Sequence, residues 1–312
     1  MNEKNQTLVS EFVLLGFQNL HNFKIPLFSL FLLIYIITVW ENVLIIVLVS
    51  SSLNLQSPMY FFLQQLSLSD LLESTNIVPL LLQIVIYDRA TLSLVGCITQ
   101  LYLFGSLEMS DLLLLAVMSY DRYVAICIPL RYSSIMSHRV CVILTLISWI
   151  LGFGVTMITM YLVGTLQFCD QNTINHFFCD LSPLLDLSCS DTFSLQIEVF
   201  FLSVPLLFIP FILITVSYMC IAHAILKIVS NTGRQKAFST CSSHLAVVSI
   251  FYGSILAIYL FPSRKHSPAM SKVLSLLYTI VIPMVNPLIY SLRNKDIKPL
   301  ILNYANILKY KN

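Results

Sequence analysis

Few side chains in this 312-residue sequence could do chemistry, and those few stand where charge is costly. Asp70, Glu108 and Asp111 interrupt long apolar runs, and Asn286 lies in another, between Pro283 and Pro287. Asp121 and Arg122 make an adjacent acid–base pair near the end of a run. A carboxylate buried in such surroundings must be neutral, hydrogen-bonded or paired with a cation. Two readings of Asp70, Asp111 and Asn286 therefore stay open: a hydrogen-bonded polar core with a neutral acid, or a sodium site. Ser239, Cys241 and His244 supply a nucleophile and a base on one stretch. No acid neighbours them, and the strand–turn–helix setting of a hydrolase is absent. No catalytic residue is assigned, and an enzyme is not expected.

The elements that must position these groups follow from hydrophobicity. The chain is 57% hydrophobic and 10% charged, with a mean hydropathy of +0.85. Soluble domains carry about 25% charge, so lipid must cover much of this surface. The net charge of +2 says little about partners, and no basic run is long enough to suggest nucleic acid. A spanning helix needs roughly 20 apolar residues. Seven runs qualify: Ile25–Ser50, Pro58–Ile86, Val95–Ile126, Val140–Gly164, Leu195–Ile228, Ala237–Phe261 and Met270–Leu292. The fold class is an all-α membrane protein, a seven-transmembrane helix bundle. It divides into an N-terminal segment (1–24), the spanning domain (25–292) and a tail (293–312). In the tail Ile297, Leu300, Ile301, Tyr304 and Leu308 share one face of a short amphipathic helix lying on the membrane. Met1 to Phe23 lacks the apolar core of a cleavable signal peptide, so the first run is expected to act as the entry signal.

Charge sets the orientation. With the N-terminus outside, inner segments hold eleven lysines and arginines and outer segments six. The first span alone argues the other way, through Lys24. Asn5-Gln6-Thr7 is a glycosylation sequon, useful only on the outside. Cys97, Cys169, Cys179 and Cys189 fall on the outer side, where disulfides persist and three pairings are open. Cys127, Cys141, Cys220 and Cys241 fall near inner helix ends. In the third span, at about 100° per residue, Leu101, Phe104, Glu108, Asp111 and Arg122 lie within about 40° of Cys97. Ionisable groups at mid-membrane cost about 2.5 kcal/mol or more, so this stripe must face the bundle interior.

The string Met118-Ser119-Tyr120-Asp121-Arg122-Tyr123-Val124-Ala125-Ile126-Cys127 ends that span. Its Asp-Arg-Tyr resembles the rhodopsin-like G-protein-coupled receptors, and the longer string resembles the vertebrate olfactory receptors. Four more stretches agree, in order: Ser57–Leu63 in span two, Ser217-Tyr218 in span five, Lys236–Leu245 in span six and Pro283–Asn294 in span seven. The sequence departs from the family pattern at Glu41, Gln56 and Glu108, where glycine, histidine and a small residue are usual.

The resemblance implies a lock in which Arg122 pairs with Asp121 at rest and moves toward Tyr218 and Tyr290 on activation. Tyr123 completes that motif, and Asn286 and Pro287 form a joint in span seven. The span-six opening from Lys236 to His244 is suited to contact a G protein. The resemblance also implies a Cys97–Cys179 disulfide, leaving Cys169 with Cys189. A metal site on His176 and Cys179 is then disfavoured, because a disulfide sulfur is a poor ligand. A ligand pocket is expected from Leu101, Phe104, Gly105, Glu108, Leu202, Ser203, Leu206, Tyr252, Ile255, Tyr259, Leu276 and Thr279, with Phe178 from the loop. Such a lining suits a small volatile compound. Glu108 would favour an amine if ionised, and would only donate a hydrogen bond if protonated. The implied function is odorant binding, coupled to a stimulatory G protein and cAMP, in the plasma membrane and on the cilia of olfactory neurons. The alternatives are a rhodopsin-like receptor for a non-odorant small molecule or amine, and a transporter. A transporter would carry internal repeats, and none is visible. Retinal binding would need a lysine in mid-span seven, where Thr279 and its neighbours supply none.

Overall fold

In lipid a long apolar run can satisfy its backbone only by becoming a helix or joining a closed barrel, and here the runs become helices. A computed structural model describes residues 9–17, 21–52, 55–169, 171–227, 230–260 and 268–293. The spans are α1 (Lys24–Ser51), α2 (Pro58–Tyr87) and α3 (Leu94–Cys127), then, after a short α4 (Tyr132–Ile135), α5 (His138–Gly164). A loop helix, α6 (Leu181–Asp186), leads to α7 (Phe193–Glu198), which passes through a π-helical stretch, Val199–Ser203, into α8 (Val204–Leu226). Then come α9 (Asn231–Leu260), α10 (Pro268–Leu276), a second π-helical stretch (Leu277–Val281) and α11 (Ile282–Arg293). Among the described residues six of these spans are long and apolar enough to cross a membrane, and α9 carries a shorter apolar stretch, His244–Ile255. α9 starts at Asn231 rather than Ala237, because its first turns are polar and hydropathy marks only the apolar part.

Burial ranks the helices. In α3, 61% of the apolar window is enclosed, against 11% for α7–α8, so α3 is the central element. Trp40, Ile150 and Tyr161 are exposed on the periphery, where lipid would cover them. α3 and α5 approach closely: a Cβ at Gly152 would meet Ser110 Oγ at 2.3 Å and the Ser106 carbonyl at 2.8 Å. Small residues are what allow helix backbones to meet within lipid.

One end of the bundle is capped by a small sheet. The N-terminal segment, expected only as an outer tail, forms β1 (Glu11–Leu14) between β2 (Ala90–Ser93) and β3 (Thr173–Ile174). β1 runs antiparallel to β2, with Glu11 opposite Ser93, and parallel to β3, with Val13 opposite Thr173. Phe12 and Leu14 point inward, as period-two alternation requires, and are fully buried. Just beyond, Gly16 has φ +48° and a Cβ there would strike Ile84 at 2.1 Å, so only glycine fits. Lys272 of α10 donates to the Gly16 carbonyl and, at 2.7 Å, to Asn175 Oδ1, while Lys24 pairs with Asp88. Disulfides join Cys97 to Cys179 and Cys169 to Cys189, the two pairs the resemblance implies, with Cα separations of 5.5 and 5.9 Å. The sequon at Asn5 and the amphipathic tail helix over residues 297–308 lie outside the described residues.

Candidate functional site

Polar groups gather at three levels along the bundle axis. At mid-depth α2 carries Asp70 and Glu73, and α3 carries Glu108 and Asp111. The i, i+3 spacing in each case puts both carboxylates on one helix face. Oxygens of Asp70, Glu73 and Asp111 all lie within 4.8 Å of one another, and the three side chains are buried. Asn286 of α11 donates to Asp70 Oδ1 at 3.2 Å and Oδ2 at 3.3 Å. The structure thus gathers Asp70, Asp111 and Asn286 and adds Glu73. Among the described residues, one oxygen of Glu73 and one of Asp111 have no hydrogen-bond partner. Buried polar atoms are normally satisfied, and several hard oxygens converging on one point suit a hard cation. Glu73 was legible as a second acid three residues after Asp70, a spacing as informative as that of Glu108 and Asp111.

Toward the capped end, three rings converge. Phe104 lies 5.4 Å from Phe178 and 5.7 Å from Tyr278, and Phe178 lies 6.5 Å from Tyr278, centroid to centroid. The Cys97–Cys179 disulfide and a 3.0 Å bond from Cys179 N to the Gln100 side chain hold Phe178 in place. Tyr278, absent from the sequence expectation, donates to Ser275 Oγ at 3.0 Å. His176 meets the same hydroxyl at 3.2 Å. Burial, aided by the nearby Lys272 charge, lowers the His176 pKa to about 3, so the ring is neutral. With Cys179 in the disulfide, His176 gains no thiolate partner for a metal.

The remaining expected pocket residues divide. Leu101, Tyr252 and Thr279 are buried, and Glu108, Ser203, Leu206, Ile255 and Leu276 are half-buried. Tyr252 packs on Phe211 at 5.0 Å, and its hydroxyl has no partner among the described residues. The Thr279 hydroxyl donates to the Ser275 carbonyl at 2.8 Å. Gly105 faces α5, where a Cβ would touch Thr156 at 3.1 Å. At about 100° per residue it lies about 80° from Cys97, at the edge of the inward stripe. Leu202 is exposed; it belongs to the π-helical stretch, which shifts the helical register. The Tyr259 side chain lies outside the described residues. A cavity of about 260 Å³ opens between Leu181 and Leu185 of α6 and Leu195, Val199 and Val204 of the fifth span, and none of the expected pocket residues lines it.

At the open end the acid–base pair is present and larger than expected. Arg122 Nε donates to Asp121 Oδ2 at 3.0 Å, with a second contact through its terminal nitrogen. Tyr132 of α4 donates to Asp121 Oδ1 at 2.8 Å. Burial and then the Asp121 charge push the Tyr132 phenol pKa up, so it stays a donor. Tyr218 of α8 bonds His244 Nδ1 at 2.6 Å, with the rings stacked. His244, expected to face a partner protein, is buried instead, because the Tyr218 ring covers it. Tyr123 is half-buried and Pro287 buried. The side chains of Lys236 and Tyr290 lie outside the described residues.

A family model described as "Olfactory receptor" matches residues 31–307. Human olfactory receptor 11L1 is 46% identical over 298 residues, 96% of this chain and 92% of its own. Rat olfactory receptor 1468 is 46% identical and human olfactory receptor 5G3 is 47% identical, each over 96% of this chain and 95% of its own.

Proposed function

The chain belongs to the olfactory receptor family, which makes it an odorant-sensing G-protein-coupled receptor and not an enzyme, and on that premise we propose that it binds a small, mostly apolar volatile compound within the bundle and activates a stimulatory G protein, raising cAMP. The lock at the open end carries this reading. Arg122 is held by Asp121, which Tyr132 also holds, and Tyr218 is occupied by His244. The two halves of an Arg122–Tyr218 contact are each engaged elsewhere, which is what a resting state requires. A ligand among Phe104, Tyr252 and Thr279 would favour a second arrangement in which Arg122 leaves Asp121 for Tyr218 and Tyr290. Arginine suits this exchange, because it stays charged while it changes acceptors. Pro287 and the π-helical stretch before α11 supply the joint, and Lys236 meets the G protein. In this reading the N-terminus is outside the plasma membrane, olfactory cilia are the site of action, and a sodium ion on Asp70 and Asp111 stabilises the resting form.

The test is a cAMP reporter screen of a chemically diverse odorant panel in cells that carry such receptors to the surface. Arg122→Ala should reach the surface and lose at least tenfold of the ligand-driven response. A normal response from that variant would sink the mechanism.

A further inference from the structure

Asp70, Glu73 and Asp111 converge between α2 and α3, Glu108 lies within charge range of Asp70 and Glu73, and by helical rise the four carboxylates fall in two layers. Asp70 and Asp111 form the layer nearer the open end. Glu73 and Glu108, each three residues away and hence about 4.5 Å along the axis, form the layer nearer the capped end. Glu108 stands close enough to Glu73 and Asp70 for their charges to interact. Asn286 serves Asp70, but Glu73, 3% exposed, keeps an oxygen with no partner, and oxygens of this carboxylate converge with those of its neighbours. Among the described residues the ion pairs are Lys24–Asp88 and Arg122–Asp121, so neither lends a cation to the cluster. Lys272 is engaged by Gly16 and Asn175 in the cap.

The three rings lie on the capped side of the outer layer. Phe104 is one turn before Glu108 on the same face of α3, and Tyr278 is near enough to feel the charges of both Glu108 and Glu73. Ring faces attract cations within about 6 Å, and most strongly organic ones whose water shell is weak. A carboxylate pair beneath an aromatic triangle is a site for an alkylammonium group.

We propose that the ligand is a small aliphatic amine whose ammonium group sits between Glu73 and Glu108 beneath Phe104, Phe178 and Tyr278. This rests on the reading of the chain as a small-molecule receptor and narrows its ligand class. The alkyl body would lie against Leu101, Tyr252 and Ile255. An alkylamine is protonated at neutral pH, as a lysine side chain is, and arrives with the charge the cluster lacks.

The experiment compares n-hexylamine, hexyltrimethylammonium and n-hexanol on the full chain by two readouts. One is reporter response normalised to surface level. The other is thermal stabilisation of the purified receptor, which needs no G protein. Both cations should act at least tenfold more potently than the alcohol in each. Glu73→Gln and Glu108→Gln should each weaken the amine at least tenfold more than they weaken the alcohol. Stabilisation without a reporter response supports the amine site and counts against the coupling. A wild-type receptor that answers alcohols as well as amines overturns the amine site and leaves the receptor reading intact. If a variant fails to reach the surface, stabilisation of the wild type alone decides, and equal stabilisation by amine and alcohol overturns the proposal.

Discussion

Asp121 accepts from two donors on different elements, Arg122 of α3 and Tyr132 of α4, so it ties the short loop helix to the lock. A hydrogen bond to a charged group contributes about 1.5–3 kcal/mol. Removing the one from Tyr132 should loosen Arg122 by making Asp121 freer to rotate toward water. Tyr132→Phe keeps the ring and deletes only the donor. The expected outcome is a ligand-free cAMP level several-fold above wild type at equal surface density, and about tenfold or more if the full bond acts on the resting state. A basal level equal to wild type would make Tyr132 a packing residue. Asp121 and Arg122 are legible in the sequence because an acid–base pair ending an apolar run has few other uses. Tyr132 is not, because its partner lies eleven residues back across a turn whose direction only the folded chain fixes. The Tyr218–His244 pairing was hidden for a related reason: each residue alone reads as an interfacial polar group, and only the packing of α8 on α9 makes them partners.

Helix α5 is positioned by what is missing from it. Gly152 leaves room for Ser110 and the Ser106 carbonyl, and Thr156 fills the space beside Gly105. In Gly152→Leu the new side chain would have to enter backbone of α3, where no flexible atom can yield. α5 would then separate from the central helix that carries Glu108 and Asp111. The expected outcome is loss of most surface expression, with Gly152→Ala intermediate because a single Cβ already clashes at 2.3 Å. Wild-type surface levels in the leucine variant would refute the close contact. The spans themselves were legible, because hydrophobicity over twenty residues has one solution in lipid. The cap was not. β1 has four residues, and its partners lie about 80 and 160 positions away along the chain, so no local signal specifies the pairing. The alternation of Phe12 and Leu14 was present, but a four-residue pattern is too short to separate a strand from chance.

Across the whole bundle, the polar middle joins the central helix α3 to α2 and to α11, which carries the joint at Pro287. Hydrogen bonds from Asn286 to Asp70 make one of these links. The free oxygen of Asp111 leaves the other open to a cation. A sodium ion there would bind the resting arrangement and weaken when α11 moves, so it acts on the same equilibrium as the Arg122 lock from the opposite side of mid-depth. At a concentration ten times its dissociation constant it would add about 1.4 kcal/mol, worth about 3 °C in melting temperature for a chain of this size. A thermal-shift series of purified receptor in sodium chloride against the chloride of a bulky organic cation, at equal ionic strength, reads this directly. The melting temperature should rise with sodium, and Asp111→Asn should abolish the difference. Glu108→Gln should reduce the difference less than Asp111→Asn does, because Glu108 lies in the layer nearer the cap and acts on the Asp70–Asp111 pair only through its charge. Equal melting temperatures in the two salts would leave Asp70 and Asp111 as a proton-sharing core, and would place the resting lock on Asp121, Arg122 and Tyr132 alone.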